Sequence, residues 1–570
     1  MKKIIILLTV LLTIALNGCV DLNYNETSVR NEEWIFGNPN DGILPIVTDV
    51  YTYMFGEFKF LTGQYSDSYG YRGAMRCSTT DEAEFATSET SINRFYDGGW
   101  SPAYPFDFYW RYSYRAINQI HTYFEKMNQI DLEEYRYSSD FETIRRQFEL
   151  FPYELRFLRA YFYFELVKAY GDVPLVTTQM TPEMANNVSR TPAQEIFDFI
   201  IRELDDVSGF LPTTYALEPA SQVGRATRAA ALGLKARVLL YNASPLYNKS
   251  NDRELYLKSA AASKYVIDKA AEWDIAFTTY GSLWGHDAFY NKENIFYHGM
   301  PANSTVETAN YPVGIENGNS GNCPTQSLVD AYEYIDNGQT FGQRHPGQIN
   351  ITQENPYAGL DPRFALTIVK NGDQWPSNST QRQTMQTYFG GANGLPKYKG
   401  TPTGYYLKKL VDGNTLTTAN GATTRRHTWV NMRLAEVYLN YAEAMYYYYG
   451  NADAKGDFGM SANEAINVLR NRPEINMPNF SGNANFEERY MRERMVELAF
   501  EDHRFWDVRR WKKGNEFFVN IGVANLELQG NDVILKRSTN VRQWNDKYYF
   551  FPIPQSEINR NKNLIQNPGW

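Results

Sequence analysis

Cleaving a glycosidic bond needs two carboxylates about 5 to 10 Å apart, one of them with a raised pKa. In a chain of 570 residues with 65 acidic side chains, candidate pairs are plentiful. Asp81-Glu82 and Glu501-Asp502 are the adjacent pairs best suited to the task. The first stands in a polar run. The second lies in residues 492–511, read as one arginine-rich helix, where Arg504, Arg509 and Arg510 can pair with Glu497, Glu501 and Asp507 at helical spacing. Ion-paired helices are far commoner than catalytic ones, so these carboxylates are expected to be structural and the protein is expected not to be an enzyme. No GxSxG elbow, HExxH pair or phosphate-cradling glycine loop occurs. His503, set among charges, reads as a structural histidine, and Cys323, between Asn322 and Pro324, marks a turn. The six histidines lack metal-ligand spacing, so neither a metal nor a cofactor is expected.

Non-covalent capture of a sugar asks for less. The C–H faces of a sugar ring stack on Trp or Tyr, while Asp, Asn and Arg take the hydroxyls. Two regions supply this mixture. Residues 61–104 form a long excursion rich in Gly, Ser, Thr and Tyr, with little periodicity, that carries Asp67, Tyr69, Tyr71, Arg72, Asp81 and Trp100. Residues 273–425 crowd Gly, Asn, Thr, Pro and Gln around Trp284, Tyr311, Asn322 and Trp375. Trp100 follows Gly98-Gly99 in a polar loop and is the foremost stacking candidate, although packing explains any one of these rings equally well.

The totals narrow the field. Tyr outnumbers Phe and Trp at 43 against 33 and 11, as expected where rings must join an apolar body to a wet hydroxyl. Net charge is −9, and loss of a leader with Lys2 and Lys3 leaves 54 basic against 65 acidic residues, or −11. An acidic chain without a basic stripe is a poor nucleic-acid binder. Residues 1–18 combine two lysines with an apolar run too short to span a bilayer, which reads as a secretory signal. Leu16-Asn17-Gly18-Cys19 resembles the lipoprotein box, so Cys19 is the expected lipidation site, with residues 19–40 as a polar tether. Asn17 departs from the small residue usual there. Cys77 and Cys323 then remain as free thiols or at most one bridge.

The elements that position these residues are mostly helical. Residues 149–176, ELFPYELRFLRAYFYFELVKAYGDVPLV, carry Leu155, Leu158, Phe162, Leu166 and Ala169 on one face, widened by Phe157, Tyr161 and Phe164. Pro152 fits the first turn, Gly171 and Pro174 end the helix, and Arg156, Arg159 and Glu165 need partners on neighbouring helices. Further helices are expected at 41–55, 108–127, 191–204 with a Thr cap, 224–241 with small residues for close approach, 255–271, 432–449 and 462–472. Short runs at 294–297 and 365–370 are the only periodicity inside 273–425, which reads as an inserted subdomain of loops, short strands and small helices. Helices on both sides of it read as one scaffold, mainly 41–272 and 426–570, so 41–570 is expected to be a single unit although length alone suggests three or four domains.

The central helix, together with residues 429–444 (WVNMRLAEVYLNYAEA), 494–511 (RMVELAFEDHRFWDVRRW) and 551–570 (FPIPQSEINRNKNLIQNPGW), resembles the signature of the SusD/RagB family of Bacteroidetes outer-membrane lipoproteins. Smaller matches are NCPTQSLVD at 322–330, DPRF at 361–364 and TGYY at 403–406. The resemblance implies a mostly α, tetratricopeptide-like scaffold of helical pairs. It implies a glycan platform built from loops of the two regions above, with Asp67, Tyr71, Arg72, Asp81, Trp100, Trp284, Tyr311, Asn322 and Trp375 in the binding role. It further implies lipid anchoring at the cell exterior and delivery of captured oligosaccharides to a SusC-like TonB-dependent transporter. The chain is similar to members encoded with fructan systems, levan especially, but no residue selects fructose over glucose. A RagB-like peptide binder and a surface glycoside hydrolase are the alternatives.

Overall fold

A computed structural model describes residues 32–61, 72–215 and 222–570. Cys19 and the leader, most of the tether, and Asp67, Tyr69 and Tyr71 lie outside the described residues. The chain is mostly α-helical. Its principal helices are α1 (Leu44–Thr52), α2 (Phe108–Lys126), α3 (Phe141–Tyr170), α4 (Ala193–Ser208), α5 (Arg228–Ala243), α6 (Glu254–Lys269), α7 (Leu434–Tyr449), α8 (Ala462–Arg470), α9 (Phe486–Glu497) and α10 (Arg504–Arg510).

The central helix α3 begins two turns before the expected start, so Pro152 sits inside it rather than in its first turn. The added turns lie on the surface, where Arg145 pairs with Glu142 and Glu149. From Phe157 to Tyr170 every residue is buried, which requires partners for its charges. Arg156 and Arg159 both reach Glu203 on α4, at 2.7 and 2.5 Å. Glu165 departs from expectation and pairs within its own helix, with Lys168 at 2.8 Å. Gly171, at φ +71°, ends the helix in a backbone conformation that side chains with a Cβ resist. The next helix is capped differently from the expected Thr191: the Ala193 amide donates to Asp172 Oδ1 at 2.8 Å, while Thr191 bridges Val173.

Successive helices pack side by side, α2 on α3, α3 on α4, α4 on α5 and α5 on α6, and the stack continues with α6 against α7 and α7 against α8. The 164 residues between α6 and α7 therefore leave and rejoin one helical array. Where they rejoin, strand β4 (Thr428–Arg433), antiparallel to β2 (Asn294–Gly299), takes the first two residues of the helix expected at 432–449, which otherwise forms as α7. Gly233 of α5 lies under it, where a Cβ would come 2.4 Å from Met432 Sδ, so the close approach foreseen from its small size is made to a strand and not to another helix.

Residues 492–511 are two helices, α9 and α10, broken at Phe500 and Asp502, both at positive φ. The array is followed by the hairpin β5 (Asn520–Gln529) and β6 (Asp532–Val541), joined at Gly530 with β6 also pairing Ile349–Asn350. This adds a sheet to a part of the chain read as helical. Residues 365–370 split into the end of a helix, Pro362–Thr367, and a strand, Ile368–Val369. Cys77 and Cys323 are both buried free thiols.

Candidate functional site

The excursion and the inserted subdomain are joined directly. Strand β1 (Ala83–Phe85) runs antiparallel to β3 (Asn322–Pro324), with Phe85 opposite Asn322, and the Ala86 amide donates to Gly321 O at 2.9 Å. Asn322 fastens this junction. Its Oδ1 accepts from the Met75 amide and Ser78 Oγ, each at 2.8 Å, and its Nδ2 donates to Asn310 Oδ1 at 3.0 Å. The side chain is fully buried with its amide committed, so Asn322 holds the platform together and is not on its face.

The foremost ring is also internal. Trp100 is 1% exposed. Phe95 lies 4.5 Å away, Phe551 stands edge-on at 4.8 Å and Trp570 at 5.0 Å. Gly98, at φ +85°, turns the loop sharply before it, and the C-terminal tail closes the far side. No face is left for a sugar, and its stacking role is withdrawn. Tyr311 is fully buried, its hydroxyl proton shared between the carbonyls of Asp412 and Thr415 at 2.9 and 2.8 Å. Trp375 is buried against Tyr311, and a Cβ at Gly413 would come 2.9 Å from its ring. Trp284 is half-buried, with Lys409 Nζ 4.0 Å over one face. Tyr311 and Trp375 build the loops rather than contact a ligand, while Trp284 keeps part of its ring at the surface.

The carboxylate pairs are sealed as well. Asp81 accepts both arms of Arg504, at 2.8 and 2.7 Å, and both are buried. Beside it, Glu82 has its carboxyl pushed up by burial and by the Asp81 charge. At 1% exposure Glu82 cannot reach a substrate. Glu501 is bound by Arg433 and Lys409, both at 2.7 Å, and Asp502 accepts from Arg76 Nε at 2.8 Å. The helix break brings in these partners from distant elements, so the expected ion pairing is present with different cations. The cavity beside Glu501, Asp502 and His503 measures about 30 Å³, the share of one water molecule. Burial lowers the His503 pKa to about 4, leaving its ring neutral.

What faces solvent at the junction is a different set of groups. Arg72 is exposed, with φ +52°, and pairs with Glu89 at 2.7 Å, so it keeps a surface position suited to binding. Across the β1–β3 ladder, residues 387–401 form a glycine-rich loop locked from beneath. Buried Asn393 accepts from the Gln386 amide at 2.9 Å and donates to Val313 O at 2.7 Å, while Tyr406 OH donates to Asn393 O. On this fixed loop Phe389 is 62% and Tyr398 63% exposed. Lys399 Nζ donates to Asn319 Oδ1, tying the loop to the segment that leads into β3. The signal for this loop was YFGGANGLPKYKG, aromatic residues flanking a cluster of turn formers.

A second ring-lined surface is concave. Thr48 and Tyr51 of α1 face Phe289, Tyr297 and Arg426 across a hollow of about 410 Å³ at the seam between scaffold and insert. Arg426 lies 5.2 Å over Phe289, and Tyr290, 63% exposed, stands edge-on to the same ring at 5.1 Å. Burial, and less strongly Tyr290, raise the Tyr297 pKa to about 12, so its hydroxyl is a neutral donor and acceptor.

Comparison with known proteins agrees with this architecture. The SusD family model matches residues 281–570, and a second, described as starch-binding associating with outer membrane, matches 57–240. SusD-like protein P2 of Formosa agariphila is 26% identical over 440 residues, covering 73% of each chain. The crystal structure of a SusD-like protein from Bacteroides fragilis superposes with a TM-score of 0.76 at 26% identity, over 95% of this chain and 98% of that one. A SusD-like carbohydrate binding protein from the same species gives a TM-score of 0.70 at 24% identity, over 89% of this chain and 98% of that one.

Proposed function

The chain belongs to the SusD family, and on that premise we propose that it is a lipid-anchored protein of the outer cell surface that captures oligosaccharides without altering them and passes them to a SusC-like TonB-dependent transporter. One observation carries the reading. On the loop tied to the segment that leads into β3, the rings of Phe389 and Tyr398 are exposed on a backbone hydrogen-bonded from below. Rings held in place before binding lose little freedom when a sugar stacks on them. The exposed Arg72–Glu89 pair of the excursion supplies charged groups suited to hydroxyls. The buried carboxylate pairs, occupied by arginine and lysine, support capture over hydrolysis.

Calorimetry on the protein freed of its lipid, with neutral oligosaccharides including levan fragments and with oligopeptides of similar length, tests the ligand class. Binding of saccharides with no release of reducing ends is expected. Binding of peptides alone, or turnover of any saccharide, would overturn the proposal. Co-purification of a TonB-dependent transporter with the tagged lipoprotein tests delivery.

A further inference from the structure

Along α2, Asp107, Arg111, Arg115, Asn118 and Thr122 recur at three- and four-residue steps, opposite the face that buries Tyr109, Ala116, Ile120 and Tyr123. In a stacked helix such a polar stripe ordinarily meets bulk water. Here it floors a cleft of about 1040 Å³ between α1, α2 and the C-terminal turn Gln555–Arg560. Tyr53, just past α1, and Trp110 and Tyr114 from α2 give the cleft its apolar surface, with Trp110 and Tyr114 5.0 Å apart.

The polar groups in it are incompletely matched. Arg111 Nη2 and Asp107 Oδ1 are 3.6 Å apart, an ion pair too long for a hydrogen bond. Asp107 Oδ1 and Arg111 Nε and Nη2 have no hydrogen-bond partner but are covered by the surrounding protein, so they do not face the cleft. The exposed charges therefore decide what the cleft takes. Asp107 is shared with Arg111, and Glu557 is taken by Arg560 at 3.1 Å. Arg115 makes no ion pair among the described residues, leaving the lining with three arginines against two carboxylates. Asp49, beside Tyr53, is a further carboxylate of α1, so the cation that stands free is that of Arg115.

Rings flanked by an uncompensated guanidinium and exposed amides suit a ligand with apolar C–H faces, hydroxyls and a negative charge. We propose that this cleft is a second saccharide site, separate from the loop surface, that takes acidic sugars bearing carboxylate or sulfate. The anion lies against Arg115, whose exposed planar fork can accept it bidentately, and a ring stacks on Tyr53 or Tyr114. The volume admits a short oligosaccharide. The inference rests on the carbohydrate reading above, but its charge requirement is its own.

Titration of the protein freed of its lipid with a uronic-acid trisaccharide, its sulfated counterpart and a neutral trisaccharide tests this. The acidic probes should bind, with affinity falling as salt rises, and Arg115→Gln should weaken them at least tenfold while leaving the melting temperature unchanged, because Arg115 is exposed. Tyr398→Ala should leave acidic binding intact and weaken only the neutral probe. Failure of the wild type to bind either acidic probe, or equal affinity in Arg115→Gln, overturns the second site. Loss of neutral binding alone would count against the loop surface and leave the acidic site standing. Preference for one acidic probe would assign the anion as carboxylate or sulfate.

Discussion

At the scale of single residues, two kinds of aromatic side chain separate by what surrounds them. Phe389 and Tyr398 have most of their surface in water, so truncation removes little packing and much ligand contact. Tyr398→Ala should weaken oligosaccharide binding roughly tenfold, the equivalent of about 1.4 kcal/mol, with no change in thermal melt, as read by affinity electrophoresis beside a melting curve. Trp100→Ala should do the opposite. Its ring is enclosed by Phe95, Phe551 and Trp570, and emptying such a site costs about 3–5 kcal/mol of stability. A Trp100 variant that melts like the wild type would show the enclosure to be wrong. The local sequence made Trp100 look like a surface ring because two glycines precede it. The residues that cover it come from the end of the chain, and no local pattern reveals a contact across more than four hundred residues.

At the scale of elements, helices with a continuous apolar stripe were legible: α2, α3, α6 and α8 fall within a few residues of expectation except for the two surface turns at the start of α3. What escaped was decided by partners. Thr428–Arg433 merges into the apolar pattern of α7, and only pairing with β2 makes it a strand. The break between α9 and α10 is set by cations from elsewhere. Glu497 accepts Arg363 and Arg433 at 2.8 Å and Arg472 at 2.6 Å, and Glu501 turns to Arg433 and Lys409. Burial pushes the Glu497 carboxyl up, but Arg472, Arg433 and Arg363 outweigh it and hold the pKa well below the usual range. Asp507 is likewise raised by burial and lowered further by Arg494 and Arg510, to about 2. A carboxylate with a depressed folded pKa stabilises above its unfolded pKa of about 4 and loses that contribution as pH falls through the folded value. Acid unfolding is therefore expected between about pH 4 and 2. Glu497→Gln should cost about 3–5 kcal/mol near neutrality, because three buried arginines lose their shared anion. The gap from wild type should narrow as pH falls below the usual carboxylate range and the wild-type carboxylate is neutralised in its turn. A gap independent of pH, followed by chemical denaturation across that range, would show that ionisation of Glu497 is not what stabilises the break.

At the scale of the whole molecule, the question is whether the insert can unfold apart from the scaffold. Its apolar side chains form their own cluster, including Tyr311, Phe364, Trp375 and Leu407, which would permit independence. The charges forbid it. Arg433, at the entry to α7, is bonded to Glu293 beside β2 and to Glu497 of α9. Arg363, from the insert, reaches the same Glu497 and also Glu493, and Arg470 of α8 reaches Glu333 of the insert at 2.8 Å. Every one of these side chains is buried. Pulling the insert away would leave charges from both parts without partners in low dielectric, a penalty of several kcal/mol for each ion. The apolar cluster itself includes Met495, Val496 and Phe500 of the α9 region, so separation would also open a hydrophobic surface. Scaffold and insert should therefore melt together. Far-UV circular dichroism, dominated by the helical array, and tryptophan fluorescence, to which Trp284 and Trp375 of the insert contribute, should give coincident transitions, and a calorimetric scan should show one peak. Arg363→Met, which removes a shared cation and leaves Glu493 and Glu497 short of partners, should lower that temperature, and if the ion cluster is what couples the parts, it should also pull the two signals apart. Coincident curves in that variant would mean that the apolar contacts around α9 are sufficient to couple them, and separate curves in the wild type would mean that the insert is a domain of its own.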